Sequence, residues 1–133
     1  LSEALTLAFE NMNPHKNQIT ALKSYMIESL QQKVKGVKFN GLSSDPDKSL
    51  YTVLNVSIPN VDDQQMFLFN LDINNIAASA GSACSSGSDS GSHVLKEIKT
   101  EEGFVNVRFS FNKYNSVEEV DYVVNKIVEI ANL

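Results

Sequence analysis

The sequence predicts an α/β (α+β) two-layer sandwich, a small mixed β-sheet covered by helices mainly on one face. Three observations lead there. Two stretches, Leu50–Ile58 and Phe104–Phe111, alternate apolar and polar residues with the period of a strand. Longer stretches between and around them repeat apolar residues at helical spacing. No internal repeat or linker divides the 133 residues, so residues 1–133 read as a single domain, long enough to bury a core.

The elements follow in order. Residues 2–11 place Leu5, Ala8 and Phe9, with Met12 beyond, at helical spacing. Asn13-Pro14 marks a break, with Asn13 as N-cap and Pro14 at the first helical position. Ile19, Leu22, Met26, Leu30 and Val34 then share one face, and Gly36 is a natural stop. Both helices are expected to cover the sheet. Val37–Asn40 is a short strand, and 41–47 a turn by composition. In Leu50–Ile58, Tyr51, Val53, Asn55 and Ser57 fall on one side, and Thr52, Leu54, Val56 and Ile58 on the other. Asp62–Asn74 reads as a helix capped by Asp62 or Asp63, with Met66, Phe67, Phe69 (or Asn70) and Ile73 as its apolar face. Ile76–Ser79 is a short strand, 92–99 a short helix with Val94, Leu95 and Ile98 inward, and 101–103 a turn. Phe104–Phe111 sets Val105, Val107 and Phe109 against Phe104, Asn106, Arg108 and Ser110. Ser116 and Glu119 form a capping box that opens the last helix, whose stripe is Val117, Val120, Val124, Ile127 and Ile130.

Charge and cysteine content exclude several function classes. The net charge is −5, with no basic stripe to neutralise phosphates, so nucleic acid is not expected as a partner. One cysteine cannot form an internal disulfide, no apolar run approaches membrane-spanning length, and no signal peptide is visible. A cytoplasmic protein with no membrane contact is expected. The chain starts at Leu1, inside a helical pattern, and reads as a piece of a longer protein.

Residues 79–92 stand apart. They read S-A-G-S-A-C-S-S-G-S-D-S-G-S, with seven serines and three glycines among fourteen residues. Such a run buries little apolar area and is expected to be a flexible loop. It carries the only cysteine, Cys84. A surface linker with an incidental thiol is one reading. The other is a sulfur that must be reached or must travel, because a free cysteine without a chemical role is usually buried. Arg108 is the only arginine beside ten lysines. It is either a solvated or carboxylate-paired strand residue, or a fixed fork for a small carboxylate ligand. His93 opens the helix after the loop, where a neutral capping or packing role outweighs one as base for Cys84. His15 is expected to be exposed. No cysteine–histidine set suits a zinc site, and neither a phosphate loop nor a G-x-S-x-G elbow is present.

The run Ser79-Ala80-Gly81-Ser82-Ala83-Cys84-Ser85-Ser86-Gly87-Ser88, then Ser92-His93-Val94-Leu95-Lys96, Val107-Arg108-Phe109-Ser110 and Glu118-Glu119-Val120-Asp121, resembles the C-terminal part of cysteine desulfurases. These are class V aminotransferase-type enzymes that use pyridoxal phosphate. The long cysteine loop resembles the group that feeds iron–sulfur cluster assembly. The resemblance implies that Cys84 is the catalytic nucleophile and that Arg108 binds the carboxylate of L-cysteine. It also implies a persulfide on Cys84, release of alanine, and delivery of sulfur to an acceptor such as an iron–sulfur scaffold protein. The family holds pyridoxal phosphate in a preceding large domain, through a lysine in a Ser-x-His-Lys setting. Here the one His-Lys pair, His15-Lys16, follows Asn13-Pro14 and opens a helix, so it does not fit. The expectation is a C-terminal small domain without the cofactor lysine, silent by itself and part of a homodimer when full length. A non-catalytic sulfur-carrier or interaction domain, and a related class V aminotransferase or lyase, are the alternatives.

Overall fold

The computed structural model describes residues 1–61, 63–80 and 103–131. Among these residues three strands form one sheet in the order β1 (Lys38–Phe39), β2 (Val53–Pro59), β3 (Phe104–Ser110). The expected sheet was mixed; among the described residues every pairing is antiparallel. Among the described residues four helices accompany it: α1 (Ser2–Glu10), α2 (Met12–Lys33), α3 (Gln64–Ile73) and α4 (Val117–Ile130); the helix expected at 92–99 lies outside them.

The period-two alternation places two kinds of residue on two faces. Leu54, Val56 and Ile58 of β2 and Val105, Val107 and Phe109 of β3 are buried under the helices. The β2 strand begins three residues later than the pattern suggested, because Leu50–Thr52 belong to the preceding turn. Above the sheet, Ile19, Leu22, Met26, Leu30 and Val34 carry the expected stripe of α2, all buried. Val120, Val124 and Ile127 do the same for α4, whereas Val117 stays exposed and Ile130 only half-buried. The two helices are tied side by side by Tyr25 Oη donating to Asp121 Oδ1 at 2.7 Å and Lys33 Nζ to Asn125 Oδ1 at 2.9 Å. Gly36 takes φ +87°, the left-handed conformation that turns the chain out of α2 and into β1.

The helix ends differ from the sequence pattern in one place and match it in two. The α1–α2 break falls at Asn11, not Asn13, so Pro14 lies within the first turn of α2, where its missing N–H breaks no hydrogen bond. Asp63 caps α3 through Oδ1, which accepts from the Gln65 and Met66 N–H groups. Ser116 caps α4 in a complete capping box.

Two expected apolar faces are corrected. α1 buries none of its residues, so α2 alone of the first two helices covers the sheet. In α3 the buried pair is Phe67 and Leu71, whereas Met66, Phe69 and Ile73 are exposed. The segment has apolar residues on most sides, and packing against β3 and α4 selects the Phe67–Leu71 stripe.

Among the described residues one cation is buried. Lys23, on α2, donates to Ser49 Oγ at 2.8 Å and to the Leu50 carbonyl at 3.0 Å, so it fastens the 43–50 turn. Burial pushes its pKa below the ordinary lysine value.

Candidate functional site

The sheet's other face is polar. Asn55 and Ser57 project there from β2, and Asn106, Arg108 and Ser110 from β3. None of the three strands carries an acidic residue, although the protein as a whole is acidic.

Arg108 is where three stretches of chain meet. Its N–H donates to the Ser79 carbonyl at 2.6 Å, and the Ser79 N–H returns a bond to the Arg108 carbonyl at 3.1 Å. The expected strand 76–79 is thereby reduced to one antiparallel bridge, Ser79 with Arg108. That bridge fixes the residue at which the serine-rich segment begins.

Both main-chain groups of Arg108 are engaged with Ser79. Toward β2, Arg108 therefore faces its register partner Asn55 as a non-hydrogen-bonded pair. Such pairs bring their Cα atoms to about 4.5 Å, the closer of the two antiparallel spacings. Ser79, Arg108 and Asn55 thus form one row across the sheet, with all three side chains on the polar face. Ser79 and Asn55 are half-buried and Arg108 is exposed. Among the described residues, no side chain accepts a hydrogen bond from the Arg108 guanidinium.

A rigid amide network supports this row. Asn40 lies just beyond β1, opposite Asn55, and its N–H bonds to the Asn55 carbonyl at 3.0 Å. Asn40 Nδ2 donates to Asn55 Oδ1 and to Asn106 Oδ1, both at 2.8 Å. The Ser57 hydroxyl sits between Asn40 Oδ1 at 2.9 Å and Asn106 Oδ1 at 2.5 Å. Ser57 and Asn106 are buried, and every buried side-chain polar atom among the described residues has a partner.

The sequence placed Arg108, Asn106 and Ser110 on one face, and the structure does so too. It missed Asn55 and Asn40. The alternation in β2 had already put Asn55 on the polar side; what it lacked was the register against β3. Cys84 and His93 lie outside the described residues, as does most of the serine-rich segment. His15 is half-buried instead of exposed, because it lines a 760 Å³ cavity between α1, the start of α2 and residues 111–114. It is far in the chain from the Arg108 row and shares no hydrogen bond with it. A second cavity of 410 Å³ lies between the end of β3 and α4, bordered by Asn75–Ala77 and Glu119.

Comparison with known proteins identifies the lineage. The profile described as Aminotransferase class-V matches residues 1–123. The chain belongs to the class V aminotransferase family. The cysteine desulfurase IscS of Clostridium botulinum strain Hall is 33% identical over 132 residues, which are 98% of this chain and 33% of that protein. The human cysteine desulfurase is 30% identical over 131 residues, 97% of this chain and 27% of that protein. Among solved structures, a NifS-like protein of Rickettsia africae superposes with a TM-score of 0.75 at 23% identity, over 96% of this chain and 32% of that one. Another NifS-like protein also reaches a TM-score of 0.75, at 26% identity, over 98% of this chain and 31% of that one. The chain spans about a third of the length of these relatives.

Pyridoxal phosphate comes with this family, and the described residues do not fit it. The cofactor needs a lysine amine facing a cavity and donors that cradle its phosphate. The Lys23 amine is already bonded to Ser49 and Leu50 and lines neither cavity. No lysine borders the 410 Å³ cavity. In the 760 Å³ cavity, Lys113 has its ammonium 5.0 Å from the centre of the Tyr114 ring, beside an exposed turn. Among the described residues no group of histidine, cysteine and carboxylate side chains could hold a metal ion. No described helix is long and apolar enough to cross a membrane.

Proposed function

We propose that this chain is the C-terminal small domain of a cysteine desulfurase. It would contribute the sulfur-accepting thiol and the substrate's carboxylate anchor, while the remainder of the enzyme holds pyridoxal phosphate. The observation that carries this is the double hydrogen bond between Ser79 and Arg108. It pins the start of the cysteine-bearing segment beside the lone arginine. Cys84 follows Ser79 by five residues, and five residues reach at most about 18 Å. A tether of that length lets the thiol come within reach of a cation suited to an amino acid's carboxylate.

The overall reaction balances without an added oxidant. The Cys84 thiol takes the sulfur atom of L-cysteine, so an S–S bond forms and the substrate C–S bond breaks. Cys84 is oxidised to a persulfide, and the substrate carbon is reduced to the methyl group of alanine. The cofactor, when bound, supplies the electron sink. Arg108 keeps the substrate in one orientation through its carboxylate. A segment rich in serine and glycine suits a sulfur that is collected at one place and delivered at another. The proposed acceptor is an iron–sulfur scaffold or another sulfur carrier, the full-length enzyme is a homodimer, and the setting is the cytoplasm. The chain by itself is catalytically silent.

Intact-protein mass spectrometry tests the proposal. The full-length polypeptide is incubated with pyridoxal phosphate and L-cysteine, wild type beside Cys84→Ala. One extra sulfur atom mapped to Cys84 and missing from the variant is expected. Turnover of cysteine by both proteins, with no adduct on either, would remove Cys84 from the mechanism.

A further inference from the structure

We propose that Asn55 is a second determinant of the carboxylate site, a neutral N–H donor beside Arg108. This rests on the reading of Arg108 as the anchor and adds a residue to it.

Three observations place Asn55 there. It is the register partner of Arg108, at the closer antiparallel spacing and on the same polar face. Its amide orientation is set from the far side, because Asn40 Nδ2 donates to Asn55 Oδ1 at 2.8 Å. Asn40 is in turn held by Asn106 and Ser57, so Asn55 is backed by a network with little freedom to rotate. Among the described residues, Asn55 Nδ2 donates to no protein group. The carbonyl end of the amide is thus occupied, and the donor end is free.

The chemistry of the row selects its ligand. Arg108 offers only donors, and Asn55 has only its N–H₂ left to offer. Without an acidic residue on any of the three strands, no strand neighbour competes for these donors. A small carboxylate accepts from both, with one group charged and the other neutral. A cation or an amine would meet like charge and a donor without an acceptor.

Asn55→Asp isolates this role. The variant is isosteric and keeps an oxygen toward Asn40, so the network survives. Only the free N–H₂ is replaced by an acceptor bearing charge. The experiment uses the full-length holoenzyme and measures the KM of L-cysteine. It also measures inhibition by 3-mercaptopropionate, which has the carboxylate and lacks the amine, and by cysteamine, which has the amine and lacks the carboxylate. The KM and the 3-mercaptopropionate inhibition constant are expected to rise about tenfold or more, and the cysteamine constant to move less than about twofold. Asn55→Ala should show the same selectivity with a smaller rise. Equal changes for both inhibitors, or none, in Asn55→Asp would reduce Asn55 to a strut and overturn the inference. Arg108→Gln separates this failure from the broader one. If it abolishes the preference for 3-mercaptopropionate while Asn55→Asp does not, only Asn55 is misassigned. If it leaves the preference intact, the carboxylate binds elsewhere and both assignments fall.

Discussion

The two faces of this sheet are made by the same strands and serve different ends. Leu54 and Asn55 are adjacent in β2, yet one is fully buried among aliphatic side chains and the other stands half-buried in a row with Arg108 and Ser79. On the covered face, β2 and β3 contribute Leu54, Val56, Ile58, Val105, Val107 and Phe109, each interchangeable in kind with its neighbours. On the polar face the side chains make specific hydrogen bonds, Asn40 with Asn55 and Ser57 with Asn106, while Arg108 has no side-chain partner among the described residues. A strand with period two lets packing and chemistry be tuned almost independently. A change on one face should therefore leave the other property nearly untouched.

The largest expected effect tests the covered face. Leu54→Ala removes a side chain with no solvent exposure at the centre of the sheet. It should cost about 2–5 kcal/mol in chemical denaturation, a large part of the about 5–15 kcal/mol available to a domain. Activity of the folded fraction should be unchanged. If Leu54→Ala altered the KM of the folded enzyme as strongly as Arg108→Gln, the separation of the faces would be wrong.

The next effect tests the polar face. Arg108 is exposed, and its guanidinium has no side-chain acceptor among the described residues, so Arg108→Gln should shift stability by less than about 0.5 kcal/mol. In the full-length enzyme it should lower kcat/KM for L-cysteine by about tenfold to a hundredfold, the range for a lost charged hydrogen bond. Arg108→Lys should recover only part of this, since an ammonium cannot present the bidentate fork. A melting temperature that fell with activity in both variants would instead make Arg108 a structural residue.

How much of this could be read from the sequence differs between the faces for a physical reason. Burial leaves a periodic signal, so the β2 and β3 alternations, the α2 stripe and the capping box at Ser116 were all visible beforehand. The signal fails where apolar residues surround a helix. Met66, Phe67, Leu68, Phe69, Leu71 and Ile73 occupy most sides of α3, and only tertiary packing selects Phe67 and Leu71. It fails again for α1, whose pattern is amphipathic yet which buries nothing. The polar face was legible in composition but not in arrangement. Arg108 stood out as the only arginine, whereas its pairing with Ser79 spans twenty-nine residues and its pairing with Asn55 fifty-three (108 − 79 and 108 − 55). No local pattern encodes such contacts. The buried Lys23 was hidden in the same way, because its partners Ser49 and Leu50 lie in a turn far along the chain.

A smaller effect sharpens the account of the helix layer. The Ser116 hydroxyl accepts from the Glu119 N–H at 3.3 Å, satisfying a donor that the first turn of α4 would otherwise leave unpaired. Ser116→Ala should cost about 1 kcal/mol in denaturant titrations, against the larger loss from Leu54→Ala. The ratio of the two would show how far α4 depends on its cap and how far on the face it covers. A Ser116→Ala loss as large as that of Leu54→Ala would mean that the cap, and not packing, holds the layer.

The smallest effect is a pH dependence from the other half of the same box. Glu119 Oε2 accepts from Asn115 Nδ2 at 3.0 Å and from the Ser116 N–H at 3.1 Å. These bonds favour the ionised carboxylate and hold its pKa below the ordinary glutamate value, the Asn115 bond being the larger cause. A carboxyl group depressed in the folded state binds its proton more readily when unfolded. Its stabilising contribution is therefore fully present above the unfolded glutamate pKa and is lost as pH falls through the lower, folded value. Glu119→Gln removes the titration while keeping an acceptor oxygen. The variant's denaturation midpoint should track wild type near neutral pH with a small constant offset, and the gap should narrow on acidification below the glutamate range. Glu119 is exposed, so added salt should have little influence on the hydrogen-bonded part of the effect and should screen only the charge. A gap that stayed constant down the whole acid limb would mean that Glu119 acts by shape alone. The cap of the covering helix would then owe its stability to Ser116.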